Sequence, residues 1–151
     1  MALELEPLMT LDVRVARPTL AATPKGDVRL IPIVGGSFAG VEDLAGEVLP
    51  GGADWQTVRA DGTLEIRARY LLRTDRDELI EVVSEGVRHA TPEVLDRLAA
   101  GEQVPADEYY FRTHVRLFTG SPRLDHLNHR LAVSSGERRA ASVHLEVCLL
   151  G

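Results

Sequence analysis

The sequence predicts a mainly β protein: a closed antiparallel barrel of about eight strands with one short helix. Three observations predict it. Most of the chain alternates apolar and polar residues with period two, the mark of half-buried strands. Strong turn signals, Pro50-Gly51-Gly52 and Asp61-Gly62, separate alternating segments. The first and last alternating segments are both long and amphipathic, as closure of the sheet on itself requires. A two-sheet sandwich fits the same pattern.

In Met9–Val15, Met9, Leu11, Val13 and Val15 alternate with Thr10, Asp12 and Arg14. Arg17-Pro18 through Lys25-Gly26 reads as a loop. Val28–Val34 reads as a strand with Pro32 marking an edge or bulge, and Gly35-Gly36 reads as its end. Ala45–Leu49 and Asp54–Arg59 follow as strands, with hairpin chemistry at Pro50-Gly51-Gly52 between them. Thr63–Thr74 alternates most cleanly. Leu64, Ile66, Ala68, Tyr70 and Leu72 share one face and Glu65, Arg67, Arg69 and Arg73 the other, so Tyr70 points inward. Asp75–Asp77 turns the chain and Leu79–Val87 returns. Thr91 is an N-cap, Pro92 and Glu93 suit a first turn, Val94, Leu95, Leu98 and Ala99 form an apolar stripe, and Gly101 caps the helix. Tyr109–Phe118 is a strand. Ser121–Leu127 is a helical turn closed by Asn128, Arg130–Ser134 a short strand, Gly136–Arg139 a loop and Ser142–Leu150 the last strand.

A chain of 151 residues is one domain's worth and buries a core without metals or disulfides. Its net charge of −6 argues against a nucleic-acid partner. No apolar run approaches the ~20 residues that span a bilayer, and MALELEPLMT carries acids where a signal peptide carries Lys or Arg. Cys148 is the single cysteine and reads as a core thiol. A cytoplasmic protein fits these features. No metal motif, phosphate loop or nucleophile elbow is legible, so no cofactor is expected.

The candidate site residues are polar or aromatic groups at strand ends. Trp55, the only tryptophan, follows a glycine turn and suits either a pocket wall or a core plug. Arg88 and His89 follow Gly86. The histidine can move protons and the arginine can bind a carboxylate or enolate oxygen, or the pair ties the strand to the helix. Tyr109-Tyr110-Phe111-Arg112 is the densest aromatic cluster. Tyr110 and Arg112 share one face, either a polar constellation inside the barrel or surface groups at an interface. Asn128 either caps its helical turn or orients a ligand oxygen. Glu47 lies between apolar residues, either inward as a base or outward as an ordinary strand glutamate.

GGSF at 35–38, GEVLPGGADWQ at 46–56, ARY at 68–70, GVRH at 86–89, the segment 97–128 and GERR at 136–139 together resemble the domain of unknown function 3237 family, also called uncharacterised protein family 0311. The resemblance covers nearly the whole chain. It implies a compact cytoplasmic β-barrel similar to allene oxide cyclase and dirigent barrels, and no agreed activity or catalytic residues. It favours an interior position for Tyr110 and Arg112. Where relatives carry an aromatic near Leu124 or His126, this chain reads Arg123-Leu124-Asp125-His126-Leu127-Asn128, which implies a pocket of different shape or polarity.

Two functional classes fit. In one, the barrel is a cofactor-free isomerase, cyclase or lyase acting on a small, largely apolar substrate. Trp55 and Tyr70 pack that substrate, Arg112 meets an oxyanion, and His89 or Tyr110 exchanges a proton. In the other, the barrel only binds an apolar ligand or serves as a structural or interaction module with a filled core. Apolar residues on both faces of Tyr109–Phe118 point to a homo-oligomer, most simply a dimer.

Overall fold

A computed structural model describes residues 1–151. Ten strands run in chain order: β1 (Leu5–Val15), β2 (Thr19–Thr23), β3 (Gly26–Gly40), β4 (Ala45–Val48), β5 (Ala53–Val58), β6 (Leu64–Thr74), β7 (Leu79–His89), β8 (Tyr110–Thr119), β9 (Ala132–Arg138) and β10 (Ser142–Leu150). Helix α1 (Pro92–Ala99) and a short 3-10 turn link β7 to β8, and a longer 3-10 segment, Pro122–His129, links β8 to β9. Every pairing is antiparallel. The first and last strands pair from Leu5 opposite Leu150 to Arg14 opposite Ser142, and β1 closes onto β3 on its other side. Strands β4 and β5 follow one another between the same two neighbours, β3 and β6. Strands β1 and β2 likewise follow one another along β3. Ten strands therefore fill eight positions around a closed antiparallel barrel.

Alternation decides what fills it. Met9, Leu11 and Val13 of β1, Ile66, Tyr70 and Leu72 of β6, Ile80 and Val82 of β7, Phe111, Val115 and Leu117 of β8, and Leu145, Val147 and Leu149 of β10 all lie in one buried cluster. One end of the barrel is packed solid. Leu8, Leu44, Leu72, Ile80, Leu117, Leu124 and Leu127 are almost wholly removed from water there. Truncating any one of these to Ala costs about 2–5 kcal/mol. Above them Glu78 accepts from Arg123 (2.6 Å) and Thr74 (2.8 Å) and from Ser121, which ties the β6–β7 turn to the 3-10 segment. The opposite end carries the β2–β3, β5–β6 and β9–β10 turns and α1. Thr91 Oγ1 caps that helix by accepting from Val94 N–H, and Val94 and Leu98 reach down to cover part of the opening.

The fold departs from the sequence expectation at four places. Gly35-Gly36 does not end its strand. At Gly36 (φ +138°) a Cβ would stand 2.0 Å from the Asp12 carbonyl oxygen, so glycine lets β3 cross close against β1 and close the barrel. Pro50-Gly51-Gly52 is no hairpin: β4 and β5 do not pair, and the turn only offsets one from the other along β6. The segment read as a loop before Gly26 contains β2, exposed along its whole length beyond the barrel proper. Glycine at 136 likewise continues β9 to Arg138, because Phe111 lies flat over it, 2.8 Å from where a Cβ would be.

Candidate functional site

A cavity of about 310 Å³ opens between the start of β2 and the β9–β10 turn and descends into the barrel. Its walls are mostly apolar, among them Val13, Ile33, Ile66, Ala68, Phe111 and Leu145. Volume and lining are those of a small-molecule site.

Polar groups reach it from inward positions of four strands. Arg29 lies on β3 in step with Ile31 and Ile33. Asp54 and Gln56 lie on β5, and their parity sends Trp55 outward. Ser84 and Arg88 share the inward face of β7 with Ile80 and Val82. Thr113 follows Phe111 on β8. These groups form two hydrogen-bonded chains. In the first, Arg67 N–H donates to one Asp54 oxygen (3.0 Å), Gln56 Nε2 donates to the other (2.7 Å), and Arg29 Nη1 donates to Gln56 Oε1 (3.1 Å). In the second, Ser84 Oγ donates to Thr113 Oγ1 (2.7 Å), which is 2.6 Å from Ser134 Oγ.

The electrostatics are one-sided. Arg17, Arg29, Arg88, Arg138 and Arg139 line the cavity against a single carboxylate, Asp54, in a protein that is acidic overall. Arg139 is engaged by Asp12 at 3.3 Å and Arg138 by the Leu98 carbonyl at the end of α1. Burial raises the Asp54 pKa above the ordinary carboxylate value, although Gln56, Arg67 N–H, Arg29 and Arg88 all favour its charge. Burial, with Arg138 and Arg29 adding to it, brings Arg88 down to about 10, so its guanidinium stays charged at neutral pH. Burial, and to a lesser degree the Asp54 charge, pushes the Tyr70 phenol up, and it enters the cavity neutral.

Of the residues singled out from sequence, the structure brings Tyr70 and Arg88 together in this cavity. The others lie elsewhere. Trp55 is 52% exposed on the outer face of β5. Tyr110 and Arg112 share an outward parity with His114 and Arg116. Tyr110 is 55% exposed, and the Arg112 guanidinium stacks 5.2 Å from the Tyr110 ring and donates to the Phe111 carbonyl. The interior expectation for these two is corrected by the opposite face of the strand, which supplies Tyr109, Phe111, Val115 and Leu117 to the core. His89, next to the inward Arg88, points out and meets Thr63 Oγ1 at 2.6 Å. Glu47 is an exposed strand glutamate 3.7 Å from Arg73. Asn128 stands at the packed end, where it accepts from Thr119 N–H (2.8 Å) and donates to the Thr119 carbonyl (2.9 Å). Cys148 is half-buried on the outward face of β10 rather than in the core.

Sequence reasoning passed over Arg29, Asp54, Gln56, Arg138 and the hydroxyl chain. The available signal was parity: in a strand whose inward positions are otherwise apolar, a charged residue in step with them is buried or lines a cavity.

The model of a family of proteins of unknown function, DUF3237, matches residues 3–150. Two curated relatives are UPF0311 proteins. One, from Rhodopseudomonas palustris, is 37% identical over 96% of this chain and 95% of its own. The other, from Clostridium acetobutylicum, is 34% identical over 93% and 90%. Among solved structures, a conserved protein of unknown function from Rhodopseudomonas palustris superposes with a TM-score of 0.95 at 36% identity, covering 100% of this chain and 99% of that one. A β-barrel-like protein from Acinetobacter baumannii superposes at 0.86 with 38% identity, covering 100% and 98%. An enzyme from Penicillium herquei shares the fold at a TM-score of 0.75 and 21% identity, covering 100% and 96%.

Proposed function

The chain belongs to the DUF3237 family, and from that premise we propose that it binds a small, largely apolar molecule inside the barrel and acts on it as a cofactor-free isomerase, cyclase or lyase. The observation that carries this reading is Asp54: a carboxylate in a mostly apolar cavity, its pKa raised by burial and its orientation set at both oxygens by Arg67 N–H and Gln56. Such a group takes a proton from one atom of a bound substrate and returns it to another, with no change of oxidation state. The guanidinium groups around it oppose negative charge developing on a substrate oxygen, and the apolar walls hold the reacting shape. Tyr70 adds a neutral hydroxyl and a flat packing surface. Non-catalytic carriage of the same ligand is a second reading, favoured by the Ser84–Thr113–Ser134 chain, in which the hydroxyls satisfy one another.

The binding step is tested with the neutral apolar dye N-phenyl-1-naphthylamine. Wild type is expected to bind one dye per chain saturably. Ala68→Trp, which fills the cavity from β6, is expected to abolish binding while melting cooperatively. Equal binding by a folded Ala68→Trp variant would place the dye outside the barrel and defeat the reading. Isomerase or lyase activity is separated from carriage by Asp54→Asn, expected to lower turnover by about 10²–10⁴-fold while dye binding persists.

The same reading includes a homo-oligomer, most simply a dimer. Its support is apolar surface left on the barrel exterior at Trp55, Tyr110, Phe118 and Leu131. Sedimentation at micromolar concentration is expected to show a species heavier than the 16.5 kDa chain. A cytoplasmic setting is part of this reading, and no helix is long and apolar enough to cross a membrane.

A further inference from the structure

The guanidinium of Arg88 stands out among the interior polar groups. The residue is only 8% exposed and lines the cavity. Its Nε is fully enclosed and has no hydrogen-bond partner in the protein. The other charged interior groups and the hydroxyl chain are engaged: Asp54 by Gln56 and Arg67 N–H, Arg29 by Gln56, Arg138 by the Leu98 carbonyl, and the three hydroxyls by one another. A buried charged donor without a partner is expensive. Asp54 offsets it through charge alone, with no hydrogen bond between the two, since its oxygens already serve Gln56 and Arg67 N–H and its charge is shared with Arg29. With three guanidinium groups, Arg29, Arg88 and Arg138, around one carboxylate, the interior lacks negative charge.

We propose that the cavity takes an organic monocarboxylate, its oxygen pair received by the Arg88 guanidinium and its apolar body lying along Ile66, Phe111 and Leu145. This rests on the proposal that the barrel interior is a ligand site and names the class of ligand. Nε is enclosed by protein, so the end of the arginine fork meets the ligand: its two Nη groups lie side by side, a geometry that matches the two oxygens of a carboxylate. Arg29 and Arg138 add positive potential without competing for that fork, because each already donates to the protein. The mouth favours the same sign, with Arg17 and Arg139 at its rim. Phe111, directly across from Arg88 on the neighbouring strand, lies over Gly136 and gives a flat apolar surface beside the guanidinium that suits the body of such a molecule.

The test compares probes that share a body and differ in the head: octanoate, 1-octanol and octylamine, with 2-naphthoate and 2-naphthylmethanol as an aromatic pair. Affinities are measured by titration calorimetry and by displacement of N-phenyl-1-naphthylamine at pH 7.5. At least one carboxylate is expected to bind tenfold or more tightly than its matching alcohol, and octylamine is expected to bind weakest. Arg88→Met is expected to erase the preference for carboxylate while the alcohol binds as before. If Arg88→Met does not melt cooperatively, Arg29→Met serves instead and is expected to reduce carboxylate affinity at least threefold. Alcohols that bind as tightly as their carboxylates would overturn the inference and leave the ligand cavity standing. Failure of every probe and of the dye to bind would overturn both. A carboxylate preference that survives in a folded Arg88→Met variant would remove Arg88 from the role.

Discussion

Replacing Asp54 by Asn tests whether the interior carboxylate is held in a state from which it can exchange protons. In the wild type both Asp54 oxygens accept, one from Arg67 N–H at 3.0 Å and one from Gln56 Nε2 at 2.7 Å, and Gln56 in turn accepts from Arg29. Asparagine has one acceptor and one donor. It keeps either Arg67 N–H or Gln56, and if Gln56 inverts its amide to follow, Arg29 faces an NH₂ group instead of an oxygen. One buried polar group goes unsatisfied in every arrangement, a loss of about 1–3 kcal/mol. Against this stands the burial of the ionised carboxylate, which Asn escapes. Because the folded pKa of Asp54 is raised, the folded state holds its proton at pH values where the unfolded chain, near 3.9, has released it. Wild-type stability therefore carries a penalty that grows as pH rises from about 4 through the folded pKa and then levels off, at about 1.4 kcal/mol per unit of displacement. The variant carries none. The deficit of Asp54→Asn relative to wild type should accordingly be largest near pH 4 and shrink towards pH 8, while the other carboxylates cancel in the difference. Urea denaturation followed by far-ultraviolet circular dichroism at half-unit steps of pH gives the curve. A deficit that widens as pH rises would mean that the arginines stabilise the Asp54 anion beyond the cost of its burial, and would refute its assignment as a proton-exchanging group.

Gly36→Ala places a Cβ 2.0 Å from the Asp12 carbonyl at a positive φ, and should cost about 2–6 kcal/mol through strain and overpacking at the β1–β3 closure, read as a lowered urea midpoint. Glu78, held down to about 2 by Arg123 and Ser121, stabilises the fold above its unfolded value near 4.3 and loses that contribution as pH falls towards 2. Glu78→Gln should therefore be less stable than wild type at pH 7 and should lose less stability on going from pH 5 to pH 2, as measured by thermal melting. Asn128→Ala strands the Thr119 backbone and should cost about 1–3 kcal/mol while leaving dye binding unchanged. Trp55→Ala and Tyr110→Ala, both exposed, should leave dye affinity at the wild-type value. A loss of affinity in either would relocate the site to the outer surface.

Period-two alternation made the fold legible, and it failed where glycine acts through space rather than as a terminator. Gly36 and Gly136 each read as a strand end or loop, yet both sit inside strands because a neighbouring backbone or ring occupies the volume of a Cβ. Pairing of the first and last strands was legible because both carry the pattern over their full length, whereas the collinear arrangement of β4 and β5 depends on β3 and β6 and leaves no local trace. The site was legible only in part. Tyr70 shares parity with the core residues of its own strand, which pointed it inward. Arg88 shares the parity of Ile80 and Val82, but the sequence reading ends that strand at Val87 and leaves its direction open. Tyr110 and Arg112 share parity with His114 and Arg116, which already marked them as outward; the family resemblance that favoured the interior was the wrong guide there. Asp54 and Gln56 were overlooked beside Trp55, because on a strand the large residue and its polar neighbours cannot face the same way.

Crystals soaked with 6-bromo-2-naphthoate and measured at the bromine absorption edge show where a carboxylate ligand sits on this barrel. One anomalous peak per chain is expected inside the barrel, close to Phe111 and Leu145, with the carboxylate within hydrogen-bond distance of the Arg88 Nη groups. A peak on the outer surface, or an unchanged interior at a concentration that saturates the protein in solution, would contradict that placement.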